Sequence, residues 1–224
     1  MRIVMRIGGS VVASPVNLEL IGKYVGLLKI LRKKKHEIAV VVGGGALARE
    51  FIRVAKDLEL NEEAQDEVAI SVSRLYAQLF SEMLGRMGCK AVPVTIEAAA
   101  DCVRNGKIAI MGGLKPGMTT DTVAALLAGA IKAKLYVKAT DQEGVYDRDP
   151  RKYSDAVKLD RLSFKDLEEI LVEDKHKAGL HQIFDPESVK LLKKGKIRVV
   201  VVNGSKPENV LFAVEGKNVG TLID

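Results

Sequence analysis

The stretch VVVGGGALAREF, residues 40–51, sets three apolar residues before three glycines and then begins a helical pattern. Glycine lacks a Cβ atom and adopts positive φ easily, so its backbone can come close to a ligand. The helix that follows has unpaired N–H groups in its first turn, and its dipole favours an anion there. A buried strand that runs through glycines into a helix predicts an α/β fold with an anion-binding loop at the strand end.

Two further strand patterns end in glycines in the same way. They are RIGGSVV at 6–12 and IMGGLKPGMTTDTVAALLA at 110–128. Parallel topology places such strand ends on one edge of a sheet. A single loop of this kind can be an ordinary tight turn, but three on one edge predict a site that holds more than one phosphoryl group.

Short β-branched runs alternate with helical patterns along the chain. The predicted strands are at 2–7, 37–42, 90–94, 107–111, 134–138 and 197–202. The predicted helices are at about 17–35, 46–59, 62–87, 97–104, 121–132, 164–174, 186–195 and 207–215. The strands are too continuously apolar for a sheet wetted on one face, which is typical of buried parallel strands. The sequence therefore predicts a three-layer αβα sandwich with a mostly parallel central sheet.

The chain shows no low-complexity linker and no internal repeat. We therefore expect one domain over 1–224, with an N-terminal lobe at about 1–130 and a C-terminal lobe at about 131–224. No apolar run approaches the roughly 18 residues that a membrane span needs, and the first residues lack a signal-peptide pattern. We expect a cytoplasmic protein without a membrane partner.

The charge balance favours an anionic partner. The net charge is +6, from 35 basic and 29 acidic residues. Aromatic residues make up only 4% of the chain and tryptophan is absent, which is not typical of nucleic-acid binding. The densest basic cluster, RKKKH at 32–36, falls where a helix should end and complements the helix dipole there. A small anionic ligand is the better interpretation.

Cysteine and histidine give no sign of a metal site built by the protein. The two cysteines, Cys89 and Cys102, have no metal-ligand spacing, and free, at least partly buried thiols are the preferred interpretation over a disulfide. The three histidines, His36, His176 and His181, form no ligand pair of the H-x-x-x-H kind.

Two familiar phosphate-binding motifs are only partly matched. GGLKPGM, from Gly112, has the glycine frame of a P-loop, but Met118 stands where the lysine must reach the phosphates. Gly43, Gly45 and Ala48 satisfy G-x-G-x-x-A, the dinucleotide fingerprint. No acidic residue follows at a second strand end about 20 residues on, so a nicotinamide-dependent dehydrogenase remains a distant alternative.

The ordered motifs resemble those of a known family. RIGGS at 6–10, VVVGGGALAR at 40–49, MGGLKPGMTTDTVAALLA at 111–128 and ATDQEGVYDRDP at 139–150 are similar to the amino acid kinase superfamily, and most of all to the archaeal type of uridylate (UMP) kinase. The resemblance extends over essentially the whole chain. It implies ATP and UMP as substrates, magnesium accompanying ATP, an acceptor site over the N-terminal lobe, an ATP site over the C-terminal lobe, and a hexamer built as a trimer of dimers.

The resemblance also implies roles for individual residues. The implied ATP-binding residues are Arg6, Ile7, Gly8, Gly9, Ser10, Gly45, Arg49, Thr140, Tyr146 and Asp149. The implied UMP-binding residues are Gly44, Asp66, Leu114, Lys115, Pro116, Gly117, Met118, Thr119 and Thr120. Arg6, as a fixed positive charge, and Asp121, as an organiser of cations, are the implied catalytic residues. From sequence alone, Asp66 is more typical of a plain surface acid, whereas a solvated helix position for Arg49 and a first-turn acid for Asp121 are the less favoured interpretations.

The chain departs from the family pattern in places. Arg6 stands where most relatives have lysine, and its planar fork changes the geometry of a phosphate contact. Asp141 and Glu143 replace the Asn and Asp of T-N-x-D-G-V-Y, which removes amide donors. Lys190 is the nearest match to a second catalytic lysine, without a motif that assigns it. Another small-molecule kinase of the superfamily and a non-catalytic nucleotide sensor stay open as alternatives.

Overall fold

A computed structural model describes residues 1–175 and 183–224 of the chain. Its nine strands are β1 Arg2–Ile7, β2 Glu37–Val42, β3 Ala109–Met111, β4 Leu135–Thr140, β5 Val145–Tyr146, β6 Lys158–Leu159, β7 Arg161–Leu162, β8 Arg198–Asn203 and β9 Thr221–Ile223. Seven of them form a central sheet in the order β3-β2-β1-β4-β8-β9-β7, while β5 and β6 pair separately. The first five strands of that order run parallel, and only β9 pairs with its neighbour β8 in the antiparallel sense.

Helices cover both faces of the sheet. They are α1 Gly9–Val12, α2 Leu18–Lys33, α3 Gly45–Asp57, α4 Glu62–Leu84, α5 Ile96–Arg104, α6 Thr120–Ala130, α7 Phe164–Lys175, α8 Pro186–Lys194 and α9 Pro207–Val214. All eight predicted helices are present, and α1 is an additional short helix. The basic cluster at 32–36 does coincide with the end of α2, as expected from the helix dipole.

Side chains of β1 alternate between two apolar layers. Ile3, Met5 and Ile7 belong to a core that α2 and α4 cover, whereas Val4 packs with α5 and α6 on the opposite face. All four side chains are fully buried. Burial on both faces is what the continuous apolar strands predict, and the three-layer αβα sandwich with a mostly parallel sheet is confirmed.

The segment between Gly88 and α5 corrects two predictions. The predicted strand at 90–94 is a loop, and the isolated bridge next to it joins Gly88 to Ile108. Pro93 lies within it and has no N–H group to donate to a strand ladder. The expectation of free thiols is also wrong, because Cys89 and Cys102 form a disulfide with their Cα atoms 6.0 Å apart. The loop folds back on α5, which a separation of 13 residues in sequence does not reveal.

Strands β5, β6, β7 and β9 were not predicted. Each has only two or three residues, which is too short to show a period of two. No helix among residues 1–175 and 183–224 combines the length and the apolar character needed to cross a membrane. His176 and His181 lie outside the described residues.

Candidate functional site

A cleft of about 670 Å³ opens at the carboxyl ends of β1, β2 and β4. Eleven of the residues predicted to form the site line this cleft: Arg6, Gly9, Ser10, Gly44, Gly45, Arg49, Thr120, Asp121, Thr140, Tyr146 and Asp149. They come from the first two glycine loops, the start of α6 and the segment after β4. Parallel strand order brings these segments to one edge, as expected for the carboxyl ends of adjacent strands.

The first two glycine loops pack against each other. A Cβ atom at Gly43 would lie 2.8 Å from the Gly9 nitrogen, and one at Gly9 would overlap the backbone of Gly45. Gly45 has φ +62°, and a Cβ there would lie 2.5 Å from the Ala13 oxygen. Glycine is therefore required at these positions by loop packing itself. The N–H groups of Gly9 and Gly44 have no hydrogen-bond acceptor in the part of the chain that the structure describes, so the packed loops still offer donors to the cleft.

Two residues of the first loop have other contacts. Gly8 is an implied ATP-binding residue, but its nitrogen donates to the Ala139 oxygen at 2.8 Å, so its N–H group is not available for a phosphate. The side chain of Ile7 is fully buried in the core. Both residues hold the loop to the sheet instead of facing the cleft.

A charged cluster lies at the floor of the cleft. Arg6 on β1 and Lys138 on β4 are direct neighbours in the parallel register. The Asp121 carboxylate lies between them: its Oδ2 is 3.5 Å from Arg6 Nη2, and its Oδ1 accepts from Lys138 Nζ. Tyr136 also donates to Oδ1, at 3.3 Å, and Arg6 Nη2 donates to Thr120 Oγ1 at 3.1 Å. The cluster therefore consists of two cationic side chains, Arg6 and Lys138, in contact with one buried carboxylate, Asp121.

Sequence reasoning missed Lys138. The signal was present, since this lysine interrupts a strand whose other residues are almost all apolar or small. Its side chain is only 3% exposed, and its ammonium lies 4.5 Å from the centre of the Phe184 ring. A charge buried in a parallel strand needs a partner of opposite charge. That partner is Asp121, in the first turn of α6 at the same edge of the sheet.

Burial and charge oppose each other in this cluster. Burial alone would raise the pKa of Asp121, but the charges of Arg6 and Lys138 outweigh it and hold the pKa below its ordinary value. For Lys138 burial has the larger effect and lowers the pKa to about 8, against the attraction of Asp121. The pKa of Tyr136 is raised well above 10, first by burial and then by the Asp121 charge. Asp121 is thus an anion throughout the neutral range.

The third glycine loop is fastened to α4. Asp66 Oδ2 accepts from the Gly117 nitrogen at 2.7 Å, and Gly117 has φ +72°, a conformation that glycine adopts at low cost. Arg74 donates to the carbonyl oxygens of Gly113 and Leu114 at 3.1 and 2.9 Å. Asp66 and the loop are therefore brought together as predicted, although the contact seen is between their own groups.

The remaining residues of that loop divide between core and surface. Leu114 and Met118 pack partly buried against the apolar layer below α6, while Lys115 is exposed and Pro116 is half-buried. Met118 consequently serves packing, which agrees with the rejection of a P-loop.

The start of α6 is tied to α8 by one carboxylate. Thr119 caps α6 by accepting from the Thr122 nitrogen at 3.0 Å. Its hydroxyl donates to Asp185 Oδ2 at 2.6 Å, and the Thr122 hydroxyl donates to Asp185 Oδ1 at 2.8 Å. Asp185 also caps α8 through the Ser188 nitrogen. Thr119 is an implied UMP-binding residue, but its hydroxyl is bound in this Asp185 clamp, and only Thr120 of the pair lines the cleft.

The opposite wall of the cleft follows β4. Thr140 and Asp149 are buried, and Thr140 Oγ1 donates to Asp141 Oδ1 at 3.1 Å. Asp149 accepts from the Arg151 backbone nitrogen, which together with the Arg151 side chain lowers the pKa of that carboxyl. Glu143, one of the unusual residues in this motif, accepts from the Asn203 side chain at 2.8 Å and so joins this segment to the end of β8.

The other cationic candidates lie at the surface. Arg49 is exposed at the cleft, where its Nη2 is 3.4 Å from Ser14 Oγ. Lys190 is 76% exposed on α8, lies 3.9 Å from Glu187 and does not line the cleft.

The side chains of the cleft do not suit a directly bound divalent cation. Both oxygens of Asp121 already face Arg6, Lys138 or Tyr136. Within residues 1–175 and 183–224, no group of three or more His, Cys, Asp or Glu side chains could hold a metal ion. A magnesium ion would therefore be held chiefly by the phosphates of a nucleotide.

The dinucleotide-binding alternative does not fit the topology. After α3 the chain continues into α4, a helix of 23 residues, and returns to the sheet only at β3 on its edge. The fingerprint requires a compact βαβ unit with an acidic residue at the second strand end, whereas three helices, α3, α4 and α5, lie between β2 and β3 here.

Comparisons with known proteins agree with this geometry. The profile of the amino acid kinase family matches residues 1–203. The uridylate kinase of Methanocaldococcus jannaschii is 41% identical, with 100% of both chains covered. The crystal structure of uridylate kinase from Archaeoglobus fulgidus matches with a TM-score of 0.91 at 37% identity, also over 100% of both chains. UMP kinase from Ureaplasma parvum, at 19% identity, shares the fold with a TM-score of 0.80 over 100% of this chain and 98% of that one.

Proposed function

The chain belongs to the amino acid kinase family, and we propose that it is a uridylate kinase, which transfers the γ-phosphoryl group of ATP to UMP. The observation that carries this proposal is the junction of two glycine loops with Arg6 at one cleft. Phosphoryl transfer asks a protein mainly to align donor and acceptor and to neutralise oxygen charge. End-to-end relatives that bear the name uridylate kinase support UMP as the acceptor.

The reaction itself makes modest chemical demands. A phosphate oxygen of UMP attacks the γ-phosphorus, a P–O bond to UMP forms, and the P–O bond to the leaving ADP breaks. The attacking oxygen is already an anion near neutral pH, so no general base has to remove a proton. The protein must instead hold two anionic nucleotides in line, which requires fixed positive charge and N–H donors.

Donor contacts are assigned to the first two loops and to the wall after β4. The residues proposed for the ATP phosphates are Arg6, Gly9, Ser10, Gly45 and Arg49, and those proposed for the nucleoside are Thr140, Tyr146 and Asp149. Their common position in one cleft supports this assignment. ATP would enter with its own Mg²⁺, because both oxygens of Asp121 already face Arg6, Lys138 or Tyr136.

Acceptor contacts are assigned to the second loop, α4 and the third loop. The residues proposed to surround UMP are Gly44, Asp66, Leu114, Lys115, Pro116, Gly117, Met118, Thr119 and Thr120. Asp66 holds the loop through Oδ2, and its other oxygen is available to accept from ribose hydroxyls. Thr119 acts through its backbone, since its hydroxyl is bound to Asp185.

Arg6 and Asp121 form the proposed catalytic pair. Arg6 places its guanidinium beside the transferring phosphoryl group, and Asp121 fixes the direction of that guanidinium. An acid beside phosphates would repel them, but the cluster of Arg6, Lys138 and Asp121 carries a net positive charge. The contact of Arg6 with Thr120, at 3.1 Å, supports a position between the donor and acceptor loops.

The wider setting is also a proposal. We assign residues 1–224 to one domain with an acceptor lobe at about 1–130 and an ATP lobe at about 131–224, working in the cytoplasm, where both nucleotides are present. We further propose a homo-oligomer, a hexamer by family resemblance. An apolar stripe supports it, formed by exposed side chains of α3, its C-cap and α4: Phe51, Val54, Leu58, Leu75, Leu79 and Met83.

A coupled ADP-release assay with ATP and magnesium tests the proposal. UMP, CMP, dUMP, isopentenyl phosphate, glutamate and no acceptor are presented in parallel. We expect turnover with UMP alone or by a wide margin. Turnover restricted to another acceptor would overturn the choice of UMP, and tight ATP binding without any turnover would favour a nucleotide sensor.

A pair of variants on α4 tests the acceptor assignment. Asp66→Ala is expected to raise the KM for UMP by on the order of tenfold, because it removes an acceptor for the ribose and loosens the Gly117 loop. Glu67→Ala, the next residue on the same helix and exposed, serves as the matched control and should behave like the wild type. Equal KM values for both variants would remove Asp66 from the UMP site.

A further inference from the structure

The mechanism derived so far uses the buried lysine of β4 only for its charge. Lys138 lies in the middle of the sheet, between β1 and β8, with a side chain 3% exposed. Burying an ammonium group costs free energy that an apolar residue at the same place would not cost. Packing of the core therefore does not explain why this position is a lysine.

The distances around Asp121 show how the two cations share one carboxylate. Lys138 and Tyr136 both contact Oδ1. Arg6 approaches only Oδ2, through a single nitrogen at 3.5 Å, and that same nitrogen donates to Thr120. The buried Nε atom of Arg6 has no acceptor among the described residues. Arginine and carboxylate side chains frequently form a bidentate pair with two parallel hydrogen bonds. Arg6 and Asp121 do not form such a pair here.

We propose that Lys138 is a positioning residue that occupies Asp121 and thereby keeps the guanidinium of Arg6 available to the substrate phosphates. Without the ammonium, Arg6 is the one cation left beside Asp121 in residues 1–175 and 183–224, and the carboxylate closes on it as a bidentate pair. The donors of Arg6 then turn away from the cleft. The charge of the Arg6, Lys138 and Asp121 cluster also falls from net positive to zero, which weakens phosphate binding.

This inference deepens the proposed function and rests on it for the identity of the acceptor. Its test is a cycle of three variants: Lys138→Met, which is neutral and of similar length, Asp121→Asn, and the two together. The measurements are kcat with saturating UMP and the ratio of the Kd values of ADP and ATP from calorimetry. That ratio reports the γ-phosphate contact and needs no acceptor.

The sign of the Asp121→Asn effect decides the outcome. In the wild-type background we expect this change to lower kcat and the preference for ATP over ADP. Lys138→Met alone should lower kcat on the order of 100-fold, because the free carboxylate pairs with Arg6. In this background we expect Asp121→Asn to raise both kcat and the preference for ATP over ADP. The KM for UMP should change little across the cycle, since the third glycine loop is not altered.

A purely structural role for Lys138 predicts a different pattern. In that case Asp121→Asn lowers both quantities in either background, and this result would overturn the proposal. Thermal unfolding of each variant checks the fold.

If Lys138→Met does not fold, Asp121→Asn is compared with the double variant: equal kcat values support action through Asp121, and a further loss contradicts it. A wild-type protein that ignores UMP but shows the sign reversal in nucleotide affinity would refute the proposed function and leave this inference standing.

Discussion

Lys138 has a pKa of about 8, lowered chiefly by burial, so it loses its charge within the range where kinase assays are run. Below that pH it is an ammonium bound to Asp121. Above it, the neutral amine no longer neutralises the carboxylate. Among the described residues, the charged groups that act on it are Asp121, Arg6 and Asp185, and Tyr136 shares its contact with Asp121 Oδ1.

The pH profile of turnover should follow this titration. The value of kcat is expected to fall as pH rises through about 8, because only about a tenth of the lysine stays charged one unit above its pKa. Lys138→Arg keeps a charge that does not titrate and should lack this descending limb. Rates measured with both proteins between about pH 6.5 and 9.5 would check it. An identical limb in both proteins would assign the titration to another group.

The glycines differ in what they contribute, and a matched pair shows it. Gly9→Ala is expected to lower the free energy of unfolding by about 2 kcal/mol or more, since its Cβ would overlap the Gly45 backbone. Gly26→Ala, inside α2, meets nothing within 4 Å and should raise it by about 0.5–1 kcal/mol. Urea denaturation followed by circular dichroism measures both changes. A neutral Gly9→Ala would mean that the two loops are not packed together.

At the scale of elements, Asp185 connects α6 to α8 and so determines where Asp121 stands. Asp185→Ala removes the cap of α8 and both threonine contacts. We expect a loss of about 1–2 kcal/mol in unfolding free energy and a fall in kcat on the order of tenfold or more, because small shifts at a reacting centre are costly.

Asn17→Ala is the control for that variant. Asn17 caps α2 by accepting from the Leu20 nitrogen at 2.9 Å, and it does not line the cleft. Its loss should cost a similar free energy of unfolding and leave kcat unchanged. Equal kcat values for the two variants would show that the clamp matters only for stability.

The disulfide constrains another element, the loop before α5. It closes a loop of 13 residues between Cys89 and Cys102, so its removal is expected to cost about 3 kcal/mol of unfolding free energy. A Cys89→Ser and Cys102→Ser double variant, compared with the wild type by thermal unfolding with and without reductant, measures this. Reductant should lower the Tm of the wild type alone. Two titratable thiols in the untreated, unfolded wild type would contradict the disulfide.

For the whole molecule, features that depend on residues close in sequence could be predicted, and features that depend on contacts between distant segments could not. Long elements such as β1, β2 and α2 show their period within their own residues, so the layered sheet could be predicted from sequence. The glycine loops and the start of α6 could also be predicted to meet, because parallel strands end on one edge. Pairings between separate segments could not be predicted. The Cys89–Cys102 bond, the Asp185 clamp and the antiparallel pairing of β9 all depend on which segments the tertiary fold brings together.

The charged cluster illustrates the same limit within the site. Arg6 and Asp121 were found because each lies in a recognisable motif. Lys138 lies two residues before Thr140 without a motif of its own, and its importance follows from the register that places it beside Arg6. A buried strand that contains one lysine was the only local sign.

The exposed stripe on α3 and α4 leads to a prediction about assembly. Leu75, Leu79 and Met83 repeat every four residues on one face of α4 and are 52%, 44% and 46% exposed. Such a face is typical of an interface between subunits, and each residue of a twofold interface counts twice. If copies of the chain associate through it, burial of one leucine contributes about 1.5–3 kcal/mol for each copy.

Leu79→Asp should therefore disrupt the oligomer, because it removes that burial and places a charge within the interface. Leu18→Asp is the control, since Leu18 at the start of α2 is even more exposed, at 77%, and lies outside the stripe. Light scattering coupled to size exclusion should give a hexamer for the wild type and for Leu18→Asp, and dimers or monomers for Leu79→Asp. A monomeric wild type would reject the assembly. An intact Leu79→Asp hexamer would place the contacts on another surface.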